Sequence, residues 1–233
     1  MKRVKKWSSV FLSLCMIPAL FPAIGSPASA ANASAKYEDV VQSEWYVPYI
    51  DYVVEHGLMT GTSNAAFAPT GKVTRAQYVQ VLYAFAEKPS GAKSAGFKDV
   101  SSGKWYTEAV NWAALVGVTG GMTKTTFAPD REVTREQAAT FFRAYAEKVA
   151  KISIDESKAL SSFLDQASIS NYAVTPMKWA VGAGLISGIK SGNKTTLSPK
   201  ATLTRAQLAT MMKAFDQYLL SKRSNSNNII PIV

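Results

Sequence analysis

The chain has 233 residues and a net charge of +10, with one cysteine and one histidine. One cysteine cannot form an internal disulfide, and one histidine cannot build a His-rich metal site. Composition therefore disfavours metal-dependent and thiol catalysis, and it leaves packing as the means of holding the fold together.

The N-terminal segment predicts export. Residues 1–30 begin with basic side chains, continue as an apolar run and end with small residues at Ala28 and Ala30. This pattern is typical of a secretory signal peptide that is cut after Ala30. The alternative is a lipoprotein signal at Cys15, which is disfavoured because Leu14 stands where a small residue normally precedes the cysteine. The apolar run is also too short for a membrane span.

Export changes the charge balance and limits the candidate partners. Removal of residues 1–30 removes four basic side chains and no acidic one, so the net charge falls from +10 to +6. A moderate positive charge outside the cell favours an anionic surface polymer, anionic lipid headgroups or simple solubility, and no nucleic-acid partner is expected. No long apolar segment and no covalent sorting motif follow the signal. We therefore expect no membrane span, and noncovalent attachment if the protein stays on the cell.

One sequence unit occurs three times in the rest of the chain. Its most regular part is the pentapeptide "VTRAQ" at 73–77, which returns as "VTREQ" at 133–137 and "LTRAQ" at 203–207. Each copy is too small to form a core alone, so the three copies are expected to pack as one structural unit. We assign the copies and their connections to residues 36–89, 96–149 and 161–221, with a linker at 150–160 and a tail at 222–233.

The first helix of each copy is predicted from an apolar stretch that stops at a glycine. The expected bounds are about Val47–His56, Thr107–Val116 and Thr175–Ala183. The glycines that follow suit left-handed C-terminal caps and are Gly57, Gly117 and Gly184. An aspartate precedes each helix in a turn, where its carboxylate is expected to bond nearby backbone amides. These aspartates are Asp39, Asp99 and Asp165.

The second helix of each copy is predicted to begin at the threonine of the pentapeptide. A Thr-x-x-Gln sequence favours a capping box, in which each side chain bonds the backbone N–H of the other residue. The pairs are Thr74 with Gln77, Thr134 with Gln137 and Thr204 with Gln207. Apolar residues then recur at i, i+4 and i+7, which predicts that the three helices pack together. The expected fold is all-α, a pseudo-threefold assembly around a central three-helix bundle.

The arginine after each threonine is the main candidate for binding. Arg75, Arg135 and Arg205 occupy the first helical position, where the partial positive charge of the helix N-terminus disfavours a cation. Three cations at the same unfavourable position indicate a negative partner, and an arginine beside free amides suits a carboxylate or a phosphate. An ion pair with an acid across the interface between copies is the structural alternative.

Together these motifs resemble three S-layer homology (SLH) repeats over about residues 36–220. The specific signal is the Thr-Arg-Ala-Glu-type motif, which stands in register in all three copies. The resemblance implies a pseudo-trimer that binds an anionic secondary cell wall polysaccharide attached to peptidoglycan, often through a pyruvate ketal on an amino sugar. It further implies that arginines meet the anionic group, that glycines let the sugar approach the backbone, and that tryptophans border grooves between copies. The implied residues are Arg75, Arg135, Arg205, Gly61, Gly121, Gly188, Trp45 and Trp105.

The chain departs from the family pattern in three ways. Glutamine replaces the usual glutamate at 77, 137 and 207, which keeps the cap and removes a charge. In the third copy Tyr172 replaces tryptophan, and "LSP" at 197–199 replaces "FAP" after a longer loop. We therefore expect up to three grooves, of which those built from the first two copies are the better formed.

Two other classes of function compete with a noncovalent wall anchor. An enzyme is disfavoured because His56 is the sole histidine and no nucleophile–base pair or metal-ligand spacing stands out, so no cofactor and no metal are expected. The alternative is an assembly or adaptor protein that recruits an S-layer or surface protein partner or competes with larger S-layer proteins for the polymer. Either role predicts a secreted protein that is retained at the cell wall.

Overall fold

A computed structural model describes residues 32–154 and 157–227, with side chains up to residue 224. The predicted signal peptide at 1–30 and the end of the tail at 228–233 lie outside the described residues. The described part is mostly helical, as predicted, but a small two-stranded sheet makes the all-α prediction incomplete. Its helices and strands are α1 Val47–Glu55, α2 Arg75–Phe85, α3 Thr107–Leu115, α4 Arg135–Lys148, α5 Val174–Gly182, β1 Ile189–Ser191, β2 Lys194–Thr196 and α6 Arg205–Asn227.

The β-hairpin occupies the longer loop of the third copy. Ile189 pairs with Thr196 in antiparallel register. The connecting residues are Gly192, which has a φ of +58°, and Asn193. Such a Gly-Asn pair suits a two-residue hairpin turn that needs left-handed backbone. The extra residues of this copy therefore form a separate local element and leave the flanking helices unchanged.

Each first helix ends where the sequence places a glycine. Helices α1, α3 and α5 lie within one residue of their predicted bounds. The glycines that follow them, Gly57, Gly117 and Gly184, have φ values of +64°, +78° and +75°. Left-handed backbone lets the chain turn back and satisfy carbonyls of the last helical turn, as the N–H of Gly57 does for the carbonyl of Val54 at 3.1 Å. The predicted left-handed caps are confirmed.

Each second helix begins with a capping box. At α2 the hydroxyl of Thr74 accepts from the N–H of Gln77 at 3.3 Å, and the Gln77 side chain accepts from the N–H of Thr74 at 3.0 Å. Reciprocal bonds of the same kind join Thr134 with Gln137 at α4 and Thr204 with Gln207 at α6. These bonds satisfy amides that the first helical turn cannot pair, so all three helices start at equivalent residues.

The second helices bury aromatic side chains against one another. The ring centroid of Phe142 in α4 lies 4.7 Å from that of Phe215 in α6 and 5.5 Å from that of Tyr78 in α2. Phe85 of α2 lies 5.9 Å from Phe215. Every pair of these helices is thus in aromatic contact, and burying each such side chain contributes about 1.5–3 kcal/mol. The core is shared among the copies.

A closed ring of backbone hydrogen bonds joins the three copies just before these helices. The N–H of Val73 donates to the carbonyl of Leu203 at 3.0 Å, that of Val133 to Val73 at 2.9 Å, and that of Leu203 to Val133 at 2.9 Å. All three side chains are fully buried. Each copy donates to one neighbour and accepts from the other, so removing any copy breaks two bonds of the ring.

Three aspartates fasten loops within their own copies. Asp39 accepts from the N–H groups of Phe67 and Ala68, each at 2.7 Å. Asp99 and Asp165 hold the equivalent amides of the second and third copies. The prediction that these aspartates bond amides close to them in sequence is therefore wrong, because the partners lie 28–33 residues further along the chain. The carboxylate stabilises Ala68 in the left-handed region, at a φ of +56°, just before a proline.

Candidate functional site

The arginines of the three pentapeptides leave their own copy and enter the next one. In each case Nε donates, at 2.7 Å, to the carbonyl of the apolar residue before the left-handed turn. The pairs are Arg75 with Phe127, Arg135 with Leu197 and Arg205 with Phe67. The arginine side chains are only 2%, 8% and 7% exposed. The first copy thus contacts the second, the second contacts the third, and the third contacts the first.

The acceptors of these bonds are carbonyl oxygens and not carboxylates. Two ion pairs of the described residues join Arg143 with Glu147 and Lys200 with Glu136, and neither involves a pentapeptide arginine. The interface contact that the ion-pair alternative predicted is therefore present, but its partner is the backbone. An arginine side chain that caps a carbonyl this way contributes a charge-assisted hydrogen bond, which is stronger than a neutral one.

Each of these carbonyls belongs to a residue whose N–H is also held. The N–H of Phe127 donates to Asp99 at 2.8 Å, while its carbonyl accepts from Arg75. One residue is thereby fixed by a carboxylate of its own copy and a guanidinium of the neighbouring copy. Burial and the positive charge of Arg131 lower the pKa of Arg75 to about 10, and Asp99 opposes the shift. Arg75 therefore remains cationic at neutral pH.

The outer guanidinium nitrogens distinguish the three copies. Nη2 of Arg205 donates to the carbonyl of Thr60 at 2.6 Å, and Nη2 of Arg135 donates to the carbonyl of Ser187 at 3.0 Å. Nη2 of Arg75 is buried and has no hydrogen-bond partner within the described residues. A buried donor without a partner costs about 1–3 kcal/mol. Arg75, which reaches from the first copy into the second, therefore differs from the other two arginines.

Three surface grooves lie beside the arginines, and we number each by the copy that supplies its glycine loop. Groove one has a volume of about 360 Å³, groove two about 330 Å³ and groove three about 200 Å³. Each groove combines an arginine of the preceding copy, the capping glutamine and glycine loop of its own copy, and an aromatic side chain of the following copy. These residues are Arg205, Gln77, Gly61 and Trp105 in groove one, Arg75, Gln137, Gly121 and Tyr172 in groove two, and Arg135, Gln207, Gly188 and Trp45 in groove three.

Each aromatic residue lines a groove whose glycine loop belongs to another copy. Trp45 of the first copy lines groove three, Trp105 of the second lines groove one, and Tyr172 of the third lines groove two. All three are more than half exposed. The replacement of tryptophan by tyrosine in the third copy therefore alters groove two. Groove three keeps a tryptophan, is the smallest of the three, and is also lined by Ile189 of the hairpin.

The loop glycines are required by packing beneath the grooves. A Cβ atom on Gly61 would lie 2.5 Å from Cε1 of Tyr37, and one on Gly121 would lie 2.5 Å from Cε1 of Phe97. Both aromatic residues are buried. This close approach explains glycine at these positions without a ligand, so a direct role for the glycines in sugar binding stays a prediction.

Glu136 supports the wall of groove two, and the sequence analysis missed it. It is buried, and it accepts hydrogen bonds from Lys200 at 2.7 Å and from the Tyr172 hydroxyl at 3.1 Å. The equivalent residues in the other copies are Ala76 and Ala206. The only signal in the sequence is the glutamate in "VTREQ" where the other two pentapeptides have alanine. Glu136 fixes Tyr172, which lines the groove, to the start of α4.

No cluster of three or more potential metal ligands occurs among the side chains that the structure describes. His56 is exposed at the end of α1, where a ring nitrogen lies 2.8 Å from the carbonyl of Tyr52. Within residues 32–154 and 157–227, no helix is both long and apolar enough to cross a membrane.

Comparison with known proteins identifies the repeated unit. The family description "S-layer homology domain" matches residues 36–79, 96–139 and 162–209, which is more than half of the chain. An endoglucanase from Bacillus sp. (strain KSM-635) is 32% identical over 211 residues, covering 89% of this chain and 22% of the relative. The surface-layer 125 kDa protein of Lysinibacillus sphaericus is 28% identical over 160 residues, covering 69% of this chain and 13% of that protein.

A third relative is named for anchoring. The cellulosome-anchoring protein of Acetivibrio thermocellus is 26% identical over 122 residues, covering 50% of this chain and 27% of that protein. The chain spans at most 27% of the length of any of these three relatives. The resemblance noted from the motifs is confirmed, and the predicted location at the cell surface agrees with the S-layer relative.

Proposed function

The chain belongs to the S-layer homology domain family, and from that premise we propose that it is a noncovalent cell-wall anchor that binds an anionic secondary wall polymer. The observation that carries the proposal is the composition of the three grooves. Each contains a buried arginine from one copy, a capping glutamine and a glycine loop from a second, and an exposed aromatic side chain from a third.

The groove chemistry suits an acidic sugar. A guanidinium binds a carboxylate through charge-assisted hydrogen bonds, and an exposed tryptophan offers a flat apolar face for a sugar ring. Trp105 in groove one is 61% exposed and Trp45 in groove three is 56% exposed, which is a large unburied area for such side chains. We propose that the ligand is a pyruvylated amino sugar of the polymer, with its carboxylate toward the arginine.

We also propose that the three copies form a pseudo-threefold assembly around a central bundle of α2, α4 and α6. Support comes from three sets of contacts, each of which links every pair of copies. These are the backbone ring through Val73, the Nε bonds of the arginines and the aromatic contacts between the second helices. Such an arrangement makes the grooves depend on the folding of the whole unit.

The proposed role is binding without catalysis. The buried carboxylate of Glu136 pairs with Lys200 at 2.7 Å and accepts a hydrogen bond from Tyr172, so it is not free to act as a catalytic acid. The Nε groups of the arginines donate to carbonyl oxygens of the neighbouring copy, and these bonds hold the copies together. The relatives named for anchoring and for the surface layer fit a module that attaches proteins to the cell surface.

Co-sedimentation tests the proposal directly. The purified protein is mixed with native wall sacculi and with sacculi from which acid has removed the secondary polymer. We expect binding to the native sacculi and its loss after acid treatment. Equal binding to both preparations would contradict the proposed ligand. An Arg143→Ala variant should bind the native sacculi as the wild-type protein does, because this arginine lies outside all three grooves.

A further inference from the structure

One peptide group is oriented differently in the second copy. In the first copy, the peptide between Thr60 and Gly61 turns its carbonyl to Nη2 of Arg205 at 2.6 Å and its N–H to the hydroxyl of Tyr37 at 2.9 Å. In the third copy, the corresponding carbonyl likewise accepts from the neighbouring arginine, at 3.0 Å. Two of the three copies therefore use this carbonyl to satisfy the outer nitrogen of the arginine.

In the second copy the same peptide joins Gly120 and Gly121. Its N–H donates to the hydroxyl of Thr119 at 3.2 Å, and its carbonyl receives no hydrogen bond from Arg75. Gly121 has a φ of +80°, whereas the equivalent Gly61 lies outside the left-handed region. A change of φ at the glycine rotates the preceding peptide plane. The rotation turns the carbonyl away from the arginine.

The sequence supplies a cause for this rotation. Thr119 is buried and has a hydroxyl, while Met59 and Ile186 at the equivalent positions have none. Threonine hydroxyls bond backbone groups one or two residues away and compete with other backbone arrangements. The loss of the Tyr37 hydroxyl is not the cause, because Phe163 of the third copy also lacks it and Ser187 still accepts from Arg135.

We propose that groove two is the strongest anion site of the chain, because Thr119 turns the 120–121 peptide and so leaves Nη2 of Arg75 unpaired. The proposal rests on the proposed function, and it specifies which groove binds first and why. In grooves one and three, an incoming carboxylate finds Nη2 already bonded to a carbonyl. In groove two it meets a donor whose burial without a partner is unfavourable, and the gain from bonding that donor is correspondingly larger.

The surroundings of Arg75 strengthen this preference. Its guanidinium carbon lies 4.6 Å from the ring centroid of Phe127 and 5.3 Å from that of Phe141. Two apolar rings reduce the local dielectric, so that a charge-assisted bond to a carboxylate is stronger than on an open surface. The aromatic wall of the groove is also held in place, because the hydroxyl of Tyr172 donates to Glu136 at 3.1 Å. A wall fixed before binding loses less side-chain entropy when the ligand arrives.

Access to the unpaired nitrogen requires a small movement. Nη2 of Arg75 has no exposed surface, so a ligand oxygen reaches it only after a lining side chain rotates. Met122 lines the same groove and is 38% exposed. Its unbranched thioether chain changes rotamer easily, so Met122 is the candidate side chain for this movement.

NMR of the arginine side chains tests the proposal without removing any arginine. The purified ¹⁵N-labelled protein is titrated with the methyl glycoside of a 4,6-O-pyruvylated N-acetylhexosamine, and the Nε–Hε signals are assigned with single Arg→Lys variants. We expect the signal of Arg75 to shift at the lowest ligand concentration, ahead of Arg135 and Arg205. The methyl ester of the same compound lacks the charge and should leave all three signals unmoved.

A Thr119→Ile variant tests the stated cause. This change gives the second copy the residue of the third copy, which has no hydroxyl, so the 120–121 carbonyl can turn to Arg75. We expect the affinity of groove two to fall by about five- to tenfold, in line with the loss of one favourable charge-assisted bond. Met59→Ile changes the equivalent residue of the first copy, which lines groove one, and should leave the affinity of groove two unchanged.

The outcomes separate the two proposals. Earlier or equal saturation of Arg135 or Arg205 would overturn the preference for groove two, as would an unchanged affinity after Thr119→Ile. Either result would leave the anchoring function intact. If neither the glycoside nor purified wall polymer shifts any arginine signal, both the proposed function and the preference fail. A shift of Arg75 that the neutral ester reproduces would show that an uncharged group fills the groove, and it would also overturn the proposal.

Discussion

The Nε of Arg75 donates a hydrogen bond to the carbonyl of Phe127 at 2.7 Å, and this bond crosses from one sequence copy to the next. Its equivalents close the circle through Arg135 and Arg205. The arginines that the sequence analysis proposed for ligand binding are thus also the residues that join the copies. A single side chain contributes to folding through Nε and to the groove through its outer nitrogens.

This dual use predicts that the arginines are needed for stability. Arg205→Ala removes two bonds to carbonyls and leaves those oxygens buried beside a cavity, so we expect the free energy of unfolding to fall by about 2–4 kcal/mol. Urea denaturation followed by circular dichroism measures the change. Arg143→Ala is the control, because its i,i+4 ion pair with Glu147 is worth at most about 0.5 kcal/mol. Similar losses in the two variants would contradict a structural role for Arg205.

Glu136 predicts a specific loss of stability in acid. Burial alone would raise its pKa, but hydrogen bonds from Lys200, Ser170 and Tyr172 outweigh burial and hold the pKa of Glu136 below its ordinary value. The folded state therefore binds this proton more weakly than the unfolded state. The contribution is complete above the unfolded pKa of about 4.3 and is lost as the pH falls through the lower folded value.

The measurement is the stability difference between the wild-type protein and Glu136→Gln as a function of pH. We expect a difference of about 1–3 kcal/mol at pH 6 that shrinks as the pH falls below about 4. Glu147→Gln serves as the control, since Glu147 is about one-third exposed and pairs only within its own helix. A difference that stays constant over this range would show that the charge of Glu136 does not stabilise the fold.

Trp105 predicts a loss of binding without a loss of stability. It is 61% exposed and lines groove one, so Trp105→Ala removes a stacking surface but little buried contact. We expect wall affinity to fall by about five- to tenfold, which corresponds to the roughly 1 kcal/mol of an aromatic contact. Leu115→Ala alters an equally exposed apolar residue outside the grooves and should bind normally. Equal binding by both variants would argue against stacking in groove one.

Ile189 predicts a gain of binding in groove three. This residue of β1 lines the smallest groove, whose volume is about 200 Å³, and it is 46% exposed. Ile189→Ala enlarges the groove, and we expect several-fold tighter binding there with a change in unfolding free energy below about 1 kcal/mol. The Arg135 side-chain signal reports occupancy of this groove. An unchanged titration of that signal would show that the hairpin does not limit access.

Sequence alone determined the features that depend on neighbours within a few residues. The threonine–glutamine pairs fixed the start of each second helix, because a capping box needs only residues three positions apart. Gly57 and its equivalents fixed the ends of the first helices, because left-handed backbone is easily accessible to glycine. The repetition of these local signals established the three copies and the family.

The tertiary structure decided which copies meet at each groove. The partner of Asp39 lies 28 residues away and that of Arg205 lies 138 residues away, at separations where no local pattern restricts the choice. The circular packing brings Trp45 to groove three and Tyr172 to groove two, so residues from all three copies form each site. The rotation of one peptide by Thr119 then makes the grooves unequal, because a single hydrogen bond selects between two backbone orientations that a glycine permits equally.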